Sequence, residues 1–280
     1  MAKILVAKSA GFCFGVRRAI NIAEKAVKSS QVVYSLGPII HNPQEVKRLE
    51  SAGLKPIENE FEINPSKIVI RSHGISPQRE AYLKNQGFEI VDATCPYVKA
   101  VHDAVQELCE DGYFIVLIGE KNHPEVLGTL GYLELSDCKG VVVESKEDLK
   151  QVLGKEKVGI VSQTTQSEQF FKEIVGEIAL WTREVKVINT ICNATSERQE
   201  GVIELAPKVD VMVIIGGKNS GNTRRLFEIS KSLNPNSFHI ETEEELKKEW
   251  FENISSIGIT AGASTPDWLI ERVIARLREL

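Results

Sequence analysis

Short apolar, β-branched runs alternate with amphipathic stretches along the whole chain. That alternation predicts parallel α/β structure. Val16, Ile20, Ala23 and Val27 recur at helical spacing, as do Val98, Val101, Val105 and Leu108. Three segments share one plan of strand, tight loop with Cys, then helix. They are KILVAKSAGFC before FGVRRAINIAEKAV, FEIVDATC before PYVKAVHDAVQEL, and VKVINTIC before NATSERQEGVIELA. A second plan of strand, polar loop and helix follows each Cys, in VVYSLGPIIHNPQEVKRL, YFIVLIGEKNHPEVLGTL and VDVMVIIGGKNSGNTRRLFEI. There His41, His123 and Ser220 each lie 28 residues after their Cys. A third plan, in KIVIRSHGISPQREAYL, VGIVSQTTQSEQFF and SIGITAGASTPDWLIERV, carries His73, Thr164 and Ser264 as its polar positions.

Three plans, each in three copies and in one order, imply three related α/β units: 14–95, 96–190 and 191–280. The N-terminal strand, in residues 1–13, is placed to complete the third unit's sheet. The repeat overrides the prior of about two domains that the 280-residue length sets. It puts nine loops at the carboxyl ends of parallel strands, where open α/β sheets bind ligands. An approximate threefold axis would bring those loops and nine helix N-termini to one central cavity suited to an anion.

Composition narrows the function. The 42% hydrophobic content excludes disorder as the main state. Lys+Arg number 34 against 39 Asp+Glu, a net charge of −5 with no basic block, which argues against nucleic acid. The runs Phe114–Ile118 and Val211–Ile215 are too short to span a bilayer, and Lys8 interrupts the N-terminal apolar stretch. A cytoplasmic protein with no membrane partner is expected. Its five cysteines then point to metal binding, catalysis or inertness rather than disulfides.

Cys13, Cys95 and Cys192 each open a helix, where the dipole favours thiolate. Three thiolates suit an iron–sulfur cluster with one iron lacking a protein sulfur, or a zinc site completed by a histidine. Cys109, beside Leu108, reads as core packing, and Cys138 as a loop thiol without a partner. His41, His73 and His123 sit in the repeated loops, while His102 fits a solvated or half-buried helix position and His239 a loop or strand end. Glu125, two residues after His123, is the candidate acid: negative neighbours would raise its pKa and suit it to donate a proton. GGKNSGNT has the glycine spacing of a P-loop but places Asn222 where the lysine belongs, so a nucleotide triphosphate site is disfavoured. No nicotinamide or flavin motif is present. Two rivals stand beside an iron–sulfur enzyme: a Cys3His zinc hydrolase, and a redox sensor that binds a phosphorylated ligand.

The motifs AGFCFGVRRA, LGPIIHNPQEV, RSHGIS, DATCPYV, EKNHPEV, SQTTQS, KNSGNTRR and TAGASTPDW resemble those of the LytB (IspH) family of 4-hydroxy-3-methylbut-2-enyl diphosphate reductases. The resemblance covers essentially the whole chain. It implies a pseudo-threefold α/β trefoil around one [4Fe-4S] cluster held by Cys13, Cys95 and Cys192. It implies reductive dehydroxylation of an allylic diphosphate to isopentenyl and dimethylallyl diphosphate, with electrons from a ferredoxin or flavodoxin. His41, His73, His123, Ser220, Asn222 and Ser264 become substrate contacts, Glu125 the proton donor, and Thr164 rather than Thr165 the orienting hydroxyl. Some members carry a second serine where Gly221 stands, which removes one phosphate contact.

Overall fold

The computed structural model describes residues 2–29 and 32–280. The chain opens with β1 (Lys3–Val6), α1 (Phe14–Lys28), β2 (Val33–Leu36), α2 (Pro43–Ser51), β3 (Leu54–Ile57), β4 (Lys67–Ile70), α3 (Pro77–Asn85) and β5 (Glu89–Asp92). It continues through α4 (Pro96–Glu110), β6 (Phe114–Ile118), α5 (Pro124–Leu135), β7 (Gly140–Val143), β8 (Lys157–Ser162), α6 (Glu168–Trp181) and β9 (Glu184–Val187). Its last third holds α7 (Asn193–Leu205), β10 (Val211–Ile215), α8 (Gly221–Leu233), β11 (Ser237–Ile240), β12 (Ser256–Ala261) and α9 (Asp267–Glu279).

The strands form three parallel four-stranded sheets, ordered β3-β2-β4-β5, β7-β6-β8-β9 and β11-β10-β12-β1. Written this way, the three orders are one order. The α/β class with three like sheets therefore stands. Central strands are apolar throughout, as in β10, where all five residues are buried between helices on both faces. The strands that lead to a Cys (β5, β9 and β1) lie at an edge of each sheet, and β1 and β9 expose both end residues. The opposite edge is a short strand that the three plans omit. In β3 it carries Pro56, which an edge tolerates because no neighbour needs the missing N–H.

By contacts the chain divides into two compact units. One comprises Met1–Arg17, Ile40–Leu49 and Asn193–Leu280 and holds the sheet of β11, β10, β12 and β1. The other comprises Arg18–Ile39 and Glu50–Cys192 and holds the other two sheets. Within the second unit α5 presses on the start of α3. A side-chain carbon at Gly131 would lie 2.3 Å from Ser76 Cβ, so only glycine fits there.

Two expectations fail in this second unit. Cys109 and Cys138 form a disulfide, with Cα atoms 5.6 Å apart. Cys138 is therefore not an unpartnered loop thiol, and Cys109 is more than packing. The reason is tertiary: α4 and α5 share the core of Val101, Val105, Leu108, Val126 and Leu133, which brings the end of α4 beside the residues that follow α5. His102, expected at a solvated or half-buried position, is 3% exposed. It stacks on Tyr132 at 4.1 Å, and burial lowers its pKa to about 4, which keeps the ring neutral.

Candidate active site

Each of the three repeated cysteines sits directly before a helix, at α1, α4 and α7. None of the three is in a disulfide, and each is half-buried. Their backbone N–H groups make one bond three times: Cys13 to the Ala263 carbonyl, Cys95 to Ser72 and Cys192 to Thr164, all at 3.0 Å. The acceptor lies two residues beyond the end of β12, β4 or β8. Cys13 Sγ also accepts the Val16 N–H at 3.4 Å, so the helix start lends it positive charge. Two arginines brace these loops, and the sequence patterns did not single them out. Buried Arg198 donates to the Gly11 carbonyl at 2.6 Å, and Arg18 donates to the Thr94 carbonyl at 3.0 Å. Both stand on the helix after a repeated Cys, which is the available signal.

These bonds correct the alignment of the repeats. Ser72, Thr164 and Ala263 are equivalent, so His73 and Ser264 correspond to Thr165 rather than Thr164. The second plan slips likewise. His123 is the N-cap of α5 and Ser220 that of α8. In the first copy Asn42 holds this place, since its Oδ1 accepts the Glu45 N–H at 2.9 Å. His41 lies one residue before the cap; an extra residue there hides behind the equal spacing.

In the second unit the acid is closed into a pair. His123 caps α5 through Nδ1, which accepts the Glu125 N–H at 3.2 Å. Its neutral ring therefore carries the proton on Nε2. The His73 ring meets the His123 ring edge to face, centroids 5.4 Å apart. Glu125 is 2% exposed. Thr164 donates to it twice, from its N–H to Oε1 at 2.6 Å and from Oγ1 to Oε2 at 2.8 Å. Burial lifts the Glu125 pKa to about 7, against the downward pull of those two bonds. Thr164 thus ties the acid to the Cys192 loop in one residue.

In the first unit the loops are polar and almost uncharged. Ser220 accepts the Thr223 N–H at 3.3 Å, and Ser264 Oγ donates to the His41 carbonyl at 3.0 Å. Asn222 is 4% exposed, yet neither its amide nitrogen nor its oxygen has a protein partner. The hydroxyl of fully buried Thr223 has none either. The lysine of this loop is turned aside: Lys218 Nζ is 2.7 Å from Glu245. Unmatched buried polar groups of this kind cost stability unless a ligand meets them.

Fold and loops together define a parallel α/β protein whose polar chemistry lies at the carboxyl ends of its strands. A family profile described as LytB protein matches residues 4–278. A curated 4-hydroxy-3-methylbut-2-enyl diphosphate reductase of Aquifex aeolicus is 63% identical over 281 residues, covering 100% of this chain and 97% of that protein. Another of Geobacter metallireducens is 45% identical, covering 99% and 98%. Among solved structures, one of (E)-4-hydroxy-3-methyl-but-2-enyl diphosphate reductase, described as the terminal enzyme of the non-mevalonate pathway, is 63% identical, covers 100% of both chains and has a TM-score of 0.76. The corresponding reductase of Plasmodium falciparum is 30% identical, covers 98% of this chain and 87% of that one, and has a TM-score of 0.91. The chain belongs to the LytB family. Among the described residues, no helix is long and apolar enough to cross a membrane.

Proposed function

We propose that this chain reduces (E)-4-hydroxy-3-methylbut-2-enyl diphosphate to isopentenyl and dimethylallyl diphosphate in the cytoplasm, as the last step of the methylerythritol phosphate route. Two electrons and two protons enter, the allylic C–O bond breaks, and water leaves. Glu125 carries the reading: a buried carboxyl that keeps its proton up to about pH 7, clasped by Thr164. It delivers a proton to the departing hydroxyl. Thr164 Oγ1, which donates to the ionised carboxylate and accepts from the neutral acid, relays that proton and orients the reacting end.

Cys13, Cys95 and Cys192 fit a [4Fe-4S] cluster: three thiols outside any disulfide, at repeat-equivalent helix starts, with matched backbone bonds. When bound, such a cluster supplies the electrons singly and an open iron for the hydroxyl. An external one-electron donor, a ferredoxin or flavodoxin, feeds it. The unit boundaries 14–95, 96–190 and 191–280, with 1–13 joined to the last, belong to the same reading.

Ser220, Asn222, Ser264, His41, His73 and His123 are the residues assigned to the diphosphate. Asn222 offers both halves of its amide, and the start of α8 adds backbone N–H groups, also in place of a hydroxyl at Gly221. Neutral donors hold the anion without locking it in an ion pair.

Anaerobic purification tests the proposal. The expected result is a brown protein with iron and acid-labile sulfide that turns over the hydroxylated diphosphate with a reduced one-electron donor. A colourless protein with one tight zinc, or a loaded cluster without turnover, would overturn it in favour of the hydrolase or the sensor.

A further inference from the structure

Residues 40–49 belong to the compact unit of α7, α8 and α9, although the strands on either side of them, β2 and β3, belong to the other unit. Something must hold this excursion in place. Three contacts do so. Ser264 Oγ donates to the His41 carbonyl at 3.0 Å. Gly217 lies so close that a side-chain carbon there would be 2.7 Å from the same carbonyl, and Pro43 Cδ is 3.3 Å from that point. The third contact is Glu45.

Glu45 sits in the first turn of α2 and is 1% exposed. A carboxylate so buried is costly unless it is paired and bonded. Arg48, one turn along, donates to it from Nε at 3.0 Å and from Nη2 at 2.7 Å. Arg48 itself is partly solvated, with a side chain 41% exposed. The remaining bond leaves the segment: Trp268 Nε1, in the first turn of α9, donates to Glu45 Oε2 at 3.2 Å. Trp268 follows Ser264 by four residues, and Glu45 follows His41 by four. The bond therefore joins the first turns of two helices whose preceding loops carry His41 and Ser264. The Arg272 guanidinium, 5.7 Å from the Trp268 ring centroid, caps the indole on the same helix.

The geometry points to Glu45 and Trp268 as a clasp that sets the His41 loop against the Ser220–Asn222 and Ser264 loops, and so as positioning residues for diphosphate binding. The inference rests on the reductase reading above. Glu45 touches no reacting atom; it acts through the placement of residues 40–43. Loss of the clasp loosens the anion site without altering Glu125 or the thiols.

The test uses the iron-loaded enzyme with Glu45→Ala, Glu45→Gln and Trp268→Phe. The last removes one N–H and keeps an aromatic ring beside Arg272. Glu45→Ala is expected to raise KM about tenfold and to weaken inhibition by inorganic pyrophosphate by the same factor. Its kcat should stay within about twofold and its iron content should not change. Trp268→Phe should give a smaller effect in the same direction, and Glu45→Gln, which still accepts from Trp268, should recover most of the loss. Amide exchange in residues 40–49 should quicken in Glu45→Ala. Unchanged KM and unchanged exchange would overturn the clasp, as would a fall in iron content and kcat that tracks general unfolding. Should Glu45→Ala fail to fold, Trp268→Phe decides by the same readouts. Should the wild-type enzyme not turn over, the reductase reading fails, while exchange in residues 40–49 still judges the clasp.

Discussion

Glu125 and Asn222 occupy the same place in two copies of one structural plan, the second residue after the N-cap of α5 and of α8. Both are buried. Thr164, which gives Glu125 one hydrogen bond from its N–H and one from its hydroxyl, corresponds to Ala263, which has no hydroxyl. The acid is thus matched by protein, while the amide is left with donor and acceptor unmet. Under the function proposed above, the two copies of the scaffold divide between proton chemistry and anion recognition. The charge logic agrees. A carboxylate at Asn222 would repel a diphosphate, whereas an acid whose burial favours the protonated form suits a proton source.

The sharpest way to break this comparison is Glu125→Gln. Turnover should fall by about 10²–10⁴, the usual worth of a positioned general acid. Substrate affinity should change little, because the diphosphate contacts stay. In the wild type, the proton-dependent rate should decline as pH rises through about 7, where the buried acid ionises, and the variant should lose that limb. A rate–pH profile of both proteins checks this. Stability moves with the same sign. The folded pKa is raised above the usual carboxylate range, so the protonated form supports folding fully below pH 4.5, and this support is lost as pH rises toward 7.

A second difference separates the two regions: the unit with Glu125 carries the Cys109–Cys138 cross-link, whereas Cys13, the cysteine of the other unit, is free. Replacing both bridge cysteines by alanine should lower stability by about 3–4 kcal/mol, the loop-closure value for residues 29 apart. Iron content should be unchanged. Thermal melts with iron assays on wild type and double variant test this; loss of iron would mean that the bridge, not the repeat, seats the ligand thiols.

The smallest expected effect is that of Asn222→Ala. One neutral contact to an anion is worth about 1–2 kcal/mol, or roughly five- to thirtyfold in affinity. That loss should appear in KM with kcat nearly constant, the opposite split from Glu125→Gln. A common split in steady-state kinetics would erase the division of labour.

Much of this was legible because a repeat testifies three times. The strands with continuous apolar runs and the helix after each Cys are local patterns, and they emerge as read. The edge strands β3, β7 and β11 were not legible; four residues at a sheet edge carry too little pattern. Thr164 and His41 were placed in the right loops but one residue out of register, because spacing measures chain length and not conformation. His102 could have been found, since it lies one helical turn after Val98 and before Val105, on the buried face. The Cys109–Cys138 bond and the Glu45–Trp268 contact depend on helix packing between distant segments, which no local pattern encodes.

Because β1 pairs along its whole length with β12, it must wait for a partner strand far along the chain. The sheet they share therefore closes only after β12 has been made, and Cys13 stays tethered to an incomplete sheet until then. Such a long-range closure is expected to be slow. That thiol acquires its finished setting late, whereas the sheets made from the middle of the chain need no strand from so far away.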